Sequence, residues 1–234
     1  MVGNLPSPGG ERRPVAVAIM AKSPRPGEVK TRLCPPLNAG EAADLYRCFL
    51  LDKIETVQAL TGAQAVIAYS PTDARADFEA LAPGIRLMPQ VGPDLGARLH
   101  ATLAGLHNAG HAGAIAVDSD TPTLPRAFLQ QAVDCLIRPG PDVVLGPTED
   151  GGYYLIGLRV ARPELFDGVP WSTAAVFEET RRRADAGNLS VACLPAWFDV
   201  DTPDDLQRLR VALGASAGDR GAPRTRRFLA EWQR

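Results

Sequence analysis

The sequence offers little that would place the protein in a membrane, on nucleic acid or outside the cell. None of its apolar runs approaches the ~18 residues of a bilayer-spanning helix, so no membrane partner is expected. Its 25 Lys and Arg are set against 27 Asp and Glu, a formal net charge of -2. A chain without a basic excess lacks the electrostatic footprint of a general nucleic-acid binder. Its four cysteines, Cys34, Cys48, Cys135 and Cys193, are scattered and contain no C-x-x-C pair. They form neither a disulfide framework nor a cysteine zinc site, and a reducing cytoplasm is the expected compartment. The opening MVGNLPSPGGERRP is polar and Gly/Pro-rich with no apolar centre, so it is not expected to be a secretory signal. No internal repeat is present. A Walker A loop is also missing: Lys30–Thr31 follows Val29 where G-x-x-x-x-G-K-[ST] demands glycine.

What remains is an ordinary hydrophobic fraction of 45% in 234 residues, enough for the core of one α/β domain. That domain is expected over 14–213, after a disordered arm at 1–13. A Gly/Ala/Pro-rich tail at 214–234 follows, ending in a short docking helix over 227–232. Apolar runs at 15–21, 65–69, 85–88, 114–117 and 143–145 read as strands, the first buried on both faces. Helical spacing separates them. Asn38 with Glu41 three residues on marks a helix start, and Ala43, Tyr46, Leu50, Ile54 and Val57 repeat along its apolar stripe. Alternation of strand and helix through the first ~145 residues predicts a parallel sheet with helices on both faces, and a more mixed arrangement after it. Further elements are expected as a strand over 154–158, helices over 173–186 and from 203 to about 213, and a strand over 190–194.

The chemistry gathers where strands end. The first strand empties into KSPRPGEVKTRL, a turn broken by Pro24, Pro26 and Gly27 that carries Lys22, Arg25, Lys30 and Arg32 with Glu28 as the one acid. Four cations after a buried strand repel one another unless an anion compensates them, and α/β proteins bind phosphate at such loops. Two alternate-residue acid pairs follow later strands. Asp118 and Asp120 suit a hard divalent cation, Mg²⁺ or Mn²⁺, or else sit near the positive end of the following helix. Asp199 and Asp201 carry the same two readings, with Thr202–Pro203, Asp204 and Asp205 spelling a helix start. In EDGGYY, Asp150 projects where a hydroxyl needs an acceptor, and Gly151 and Gly152 either admit a ligand or make a bare turn. His107, His111 and the run Arg181–Arg183 read as surface. Trp171–Ser172 lines a pocket or caps a helix.

Taken in order, AKSPRPGEVKTRL, QVGPDLGARL, DSDTPTLP, GPTEDGGYYLIGL, PWST and WFDVDTPDDL resemble the bacterial family described as rSAM/selenodomain-associated transferase 1. The resemblance runs from about Val15 to Leu213. That family belongs to the GT-A, or nucleotide-diphospho-sugar transferase, superfamily, which implies a three-layer α/β/α, Rossmann-like fold on a mostly parallel mixed sheet. It implies Asp120, Asp199 and Asp201 as the metal carboxylates, to which the acid-pair reading adds Asp118. It implies Lys30 and Arg32 as phosphate contacts, and the loop readings add Lys22, Arg25, Gly27, Gly151 and Gly152 as nucleotide or phosphate contacts. On the reading of the loops themselves, Asp150 and Lys30 are the expected catalytic residues. Shorter pieces are similar to guanylyltransferases of 2-phospholactate and phosphoenolpyruvate, which lack D-G-G-Y-Y. Three activities stay open on this reading. The first is glycosyl transfer from an NDP-sugar to a small-molecule acceptor. The second is nucleotidyl transfer from an NTP with release of pyrophosphate, and the third is nucleotide binding without turnover.

Overall fold

The computed structural model describes residues 13–215 and 221–232. The arm expected over 1–13 therefore lies outside the described residues except for Arg13, as do 216–220 and 233–234 of the expected tail. The strands are β1 (Val15–Lys22), β2 (Ala63–Ser70), β3 (Arg86–Pro89), β4 (Ala114–Val117), β5 (Val143–Pro147), β6 (Tyr153–Leu158) and β7 (Val191–Cys193). The helices are α1 (Ala39–Gln58), α2 (Arg75–Leu81), α3 (Leu95–Asn108), α4 (Arg126–Ile137), α5 (Val176–Ala186), α6 (Pro203–Ala215) and α7 (Pro223–Glu231).

The strands form one sheet in the order β3-β2-β1-β4-β6-β5-β7. β1 pairs parallel with β2 and β4, β2 with β3, and β5 with β7, while β6 runs antiparallel between β4 and β5. This is the mixed, mostly parallel sheet expected. Alternate residues of β1 divide the core, as the two-residue period of a strand requires. Val15, Val17, Ile19 and Ala21 pack with α1, α2, α4, α6 and α7. Ala16 and Ala18 pack with Leu99, Leu103 and Leu106 of α3 and Ala184 of α5. Three layers result. Among the described residues no helix is long and apolar enough to cross a membrane.

Local signals placed most boundaries. Asn38 Oδ1 accepts from Glu41 N at 2.9 Å and Glu41 Oε2 accepts from Asn38 N at 2.8 Å, closing a reciprocal cap on α1. Asp94 Oδ1 accepts from Ala97 N at 2.8 Å and starts α3. Thr202 and Asp205 cap α6, with Thr202 Oγ1 donating to Asp205 Oδ2 at 2.7 Å. Two helices begin elsewhere than expected. α5 starts at Val176, not Thr173, because Ser172 adopts a left-handed φ of 63° and Thr173 Oγ1 takes the Ala175 N–H in a turn. α7 starts at Pro223, four residues before Arg227. Its N-terminal N–H groups are satisfied from far away in sequence: Asp52 of α1 accepts from Arg224 N at 3.1 Å and Thr225 N at 2.9 Å.

Candidate active site

The chain leaves β1 for β2 and β3 on one flank, then returns to β4 on the other. The adjacent carboxyl ends of β1 and β4 are thus the switch point where open α/β sheets bind ligands. With the turns after β5 and β7 they open on a cleft of about 780 Å³. Lys22, Lys30, Arg32, Asp118, Asp120, Asp150, Asp199 and Asp201 all line it. They come from four separated stretches of chain.

A buried polar chain ties the two strand ends together. Tyr46 Oη accepts from Lys22 N at 3.0 Å and lies 2.9 Å from Ser119 Oγ, which donates to Met20 O at 3.0 Å. Burial and the nearby Asp120 raise the Tyr46 pKa, so its hydroxyl stays protonated and able to donate. Behind β4, Lys53 of α1 is almost fully enclosed. Its Nζ donates to Thr121 Oγ1 at 2.7 Å and Thr121 O at 3.0 Å, with Asp118 Oδ1 at 3.5 Å. Thr121 Oγ1 in turn donates to Asp118 Oδ1 at 2.6 Å. Burial lowers the Lys53 pKa against the pull of Asp118. Burial likewise pushes the Asp118 carboxyl up to about 6, with Lys53 opposing.

The basic loop divides. Arg25 turns away from the cleft: its guanidinium meets Asp77 Oδ2 at 2.9 Å and Asp73 Oδ1 at 3.6 Å, and Ser23 Oγ donates to Asp77 at 2.6 Å. Gly27 has a φ of 78° and no atom within 4 Å of where a Cβ would stand, so its glycine serves the turn itself. Lys22 ends β1 exposed. Lys30 adopts a left-handed φ of 49° ahead of a short 3₁₀ turn at Thr31–Leu33, which swings its side chain inward. At Lys30 the compensating charge expected for the loop comes from the chain's own acids. The Lys30 side chain is 5% exposed, and Nζ lies 2.6 Å from Asp120 Oδ1 and 2.8 Å from Asp201 Oδ1. Burial lowers its pKa, but these two carboxylates outweigh burial and the net shift is upward. Arg32, 74% exposed, reaches the far oxygen of Asp201 at 3.9 Å.

The two acid pairs behave unlike their spacing. Asp118 and Asp120 take different partners, Asp118 facing Thr121 and Lys53 and Asp120 facing Lys30. Val200 N donates to Asp120 O at 3.0 Å, and this one backbone bond carries the 199–201 segment across to β4. Asp205 makes the helix cap, as expected, while the Asp201 carboxylate turns to Lys30. Asp199 is pushed up to about 6 by burial and then by the neighbouring Asp150 and Asp201 charges. Among the described residues no three His, Cys, Asp or Glu side chains are gathered as a ready metal site. Asp120 and Asp201 are nevertheless chemically suited to a hard cation, and an oxygen of each lies within 2.8 Å of one nitrogen.

In the turn after β5, Asp150 Oδ1 accepts from Gly152 N at 3.0 Å and from Thr148 Oγ1, which fixes the carboxylate at the cleft. Gly151 has a φ of 91°, and a Cβ there would stand 2.1 Å from Ala174 O. Its missing side chain admits the 172–175 turn, so the close backbone approach expected of Gly151 is made by protein. Trp171 lines the cleft: its ring covers Gly96 of α3 and meets Tyr153 edge-on at 6.3 Å between centroids. His107 is half-buried at the end of α3, not on the surface as expected, because the helix continues to Asn108 and turns it inward. Sequence reading missed Lys53 and the amide of Gln90, whose Nε2 donates to Ala68 O at 2.8 Å beside the cleft. Lys53 could have been found: it sits three residues after Leu50 and four after Phe49, on the apolar stripe of α1.

Fold and site together define a transferase of the GT-A, nucleotide-diphospho-sugar transferase, class. A protein from Desulfovibrio desulfuricans G20, provisionally described as a nucleotide-diphospho-sugar transferase, is 35% identical with a TM-score of 0.86, over 93% of this chain and 94% of that one. The chain belongs to a bacterial family known as uncharacterized protein conserved in bacteria, DUF2064, whose profile matches residues 53–173. The fold is shared at 13% identity and a TM-score of 0.58 with a CMP:2-keto-3-deoxy-manno-octonic acid synthetase complexed with CTP, over 86% of this chain and 99% of that one. It is shared at 14% identity and 0.50 with glucosyl-3-phosphoglycerate synthase from Mycobacterium tuberculosis in complex with Mn²⁺ and UDP, over 87% and 78%. No curated protein matches the chain.

Proposed function

We propose that the protein transfers a glycosyl group from a nucleoside-diphosphate sugar to a small-molecule acceptor, as a member of the rSAM/selenodomain-associated transferase 1 type. The observation that carries this reading is the division of the basic loop. Arg25 is spent on Asp73 and Asp77, and Lys30 is held between Asp120 and Asp201 until a phosphate reaches it. This leaves Lys22 and Arg32, the latter with Asp201 at 3.9 Å, as the loop cations open to the cleft at the outset. That complement matches a diphosphate better than the triphosphate which nucleotidyl transfer requires. Residues 14–213 act as one domain in this scheme, in a cytoplasm where the four free cysteines stay thiols.

Asp120 and Asp201, with Asp199 beside them, would hold Mg²⁺ or Mn²⁺, which when bound neutralises diphosphate charge. The chain's own residues do the rest. Arg32 and Lys22 orient the diphosphate, and Tyr153 and Trp171 wall off the acceptor side from water. Asp150, fixed by Thr148 and Gly152, accepts the proton of the acceptor hydroxyl as its oxygen bonds the anomeric carbon. The bond from that carbon to the diphosphate oxygen breaks, and the electron pair leaves with the nucleoside diphosphate. The test is product analysis of the purified protein with Mn²⁺, NDP-sugars, NTPs and candidate acceptors. Acceptor-dependent release of nucleoside diphosphate, lost in Asp150→Asn at unchanged nucleotide affinity, is expected. Acceptor-dependent release of pyrophosphate from an NTP would replace this reading with nucleotidyl transfer.

A further inference from the structure

The cation between Asp120 and Asp201 is one the chain supplies. Lys30 Nζ is 2.6 Å from one carboxylate and 2.8 Å from the other, and its side chain is 5% exposed. The two carboxylates stay more open, at 39% and 40%. Lys30 is held there by the backbone: a left-handed residue between buried Val29 and the Thr31–Leu33 turn, with Leu33 fully buried. A divalent ion that used both acids would take the place of an ammonium already bonded to both. That exchange leaves Lys30 charged, nearly enclosed and without its partners, a cost of the kind that makes broken buried pairs unfavourable. A phosphate oxygen at the same place would restore a partner to the ammonium.

We infer that Lys30 is a built-in counter-cation that keeps divalent metal off Asp120 and Asp201 until the phosphates of a nucleotide draw it away. Metal alone then binds feebly, and metal and diphosphate each tighten the other, since such coupling is reciprocal. This rests on the reading of the cleft as a metal–nucleotide site and adds the order in which its charges are exchanged. A like device would be missed by ligand spacing, because it lies in a residue that ligates nothing.

The experiment is Mn²⁺ binding followed by electron paramagnetic resonance, first with Mn²⁺ alone, then with ADP, GDP, CDP and UDP in turn. For the wild-type chain with Mn²⁺ alone, millimolar or weaker affinity is expected. In Lys30→Met, or Lys30→Gln if the first variant does not fold, affinity for Mn²⁺ alone should rise by roughly tenfold or more. Lys30→Arg, which keeps the charge, should stay near wild type. Micromolar binding of Mn²⁺ alone to the wild-type chain overturns the inference whatever the variants do. So does a neutral variant that folds and binds Mn²⁺ no better. Failure of every diphosphate to bind would count against the proposed function instead, while the Mn²⁺-alone comparison would still judge Lys30.

Discussion

Removing the Lys53 ammonium tests whether the pair behind β4 holds the cleft floor in place. Lys53 is 2% exposed and Asp118 20%, with Nζ and Oδ1 at 3.5 Å and Thr121 bonded to both. In Lys53→Met the apolar stem is nearly preserved, so little packing is lost. What disappears is two charge-assisted bonds to Thr121, each worth about 1.5–3 kcal/mol, and the counter-charge of Asp118. The relief of no longer desolvating an ammonium offsets part of this, and broken buried pairs cost about 3–5 kcal/mol in total. We expect about 3 kcal/mol. Asp118→Asn alone should cost a similar amount, because it strands the ammonium. The double variant should cost much less than the two together, giving a coupling energy of about 2 kcal/mol, within the range for contacting residues. The assay is urea unfolding followed by circular dichroism for all four proteins. A Lys53→Met cost below about 1 kcal/mol, or additivity within about 0.5 kcal/mol, would refute the reasoning.

Arg32→Ala should weaken diphosphate binding by about 1.5–3 kcal/mol in calorimetry, whereas Arg25→Ala should leave it nearly unchanged, because Arg25 faces Asp73 and Asp77. Gly151→Ala forces a side chain onto a φ of 91° and against Ala174 O, and should lose at least about 1–3 kcal/mol of stability by thermal melting. His107 has its pKa lowered by burial and then by His111. The folded state therefore takes up its proton less readily than the unfolded chain. Its contribution is present above the unfolded pKa and lost as pH falls below it, so wild type should lose more stability than His107→Gln between pH ~7.5 and pH ~5.5.

The local periodicities of this chain determine a great deal. β1 reads directly from its apolar run and α1 from the Asn38–Glu41 cap and its stripe, because each rests on interactions among near neighbours. The placing of acids and cations after strands was equally legible, since a carboxyl strand end needs only the strand to be recognised. Apolar runs carry no direction, however, so the reversal of β6 between β4 and β5 came from the sheet alone. The same holds for charge. Four cations in KSPRPGEVKTRL announce a need for counter-charge, but not whose. Topology decided that Arg25 would lie beside α2, and that the Val200–Asp120 backbone bond would bring Asp201, distant in sequence, up to Lys30. It likewise gave Asp52 to the start of α7 and Lys53 to Asp118. A side chain shows by its charge that it needs a partner. Only the fold brings residues far apart in the chain within the few ångströms over which that charge is felt.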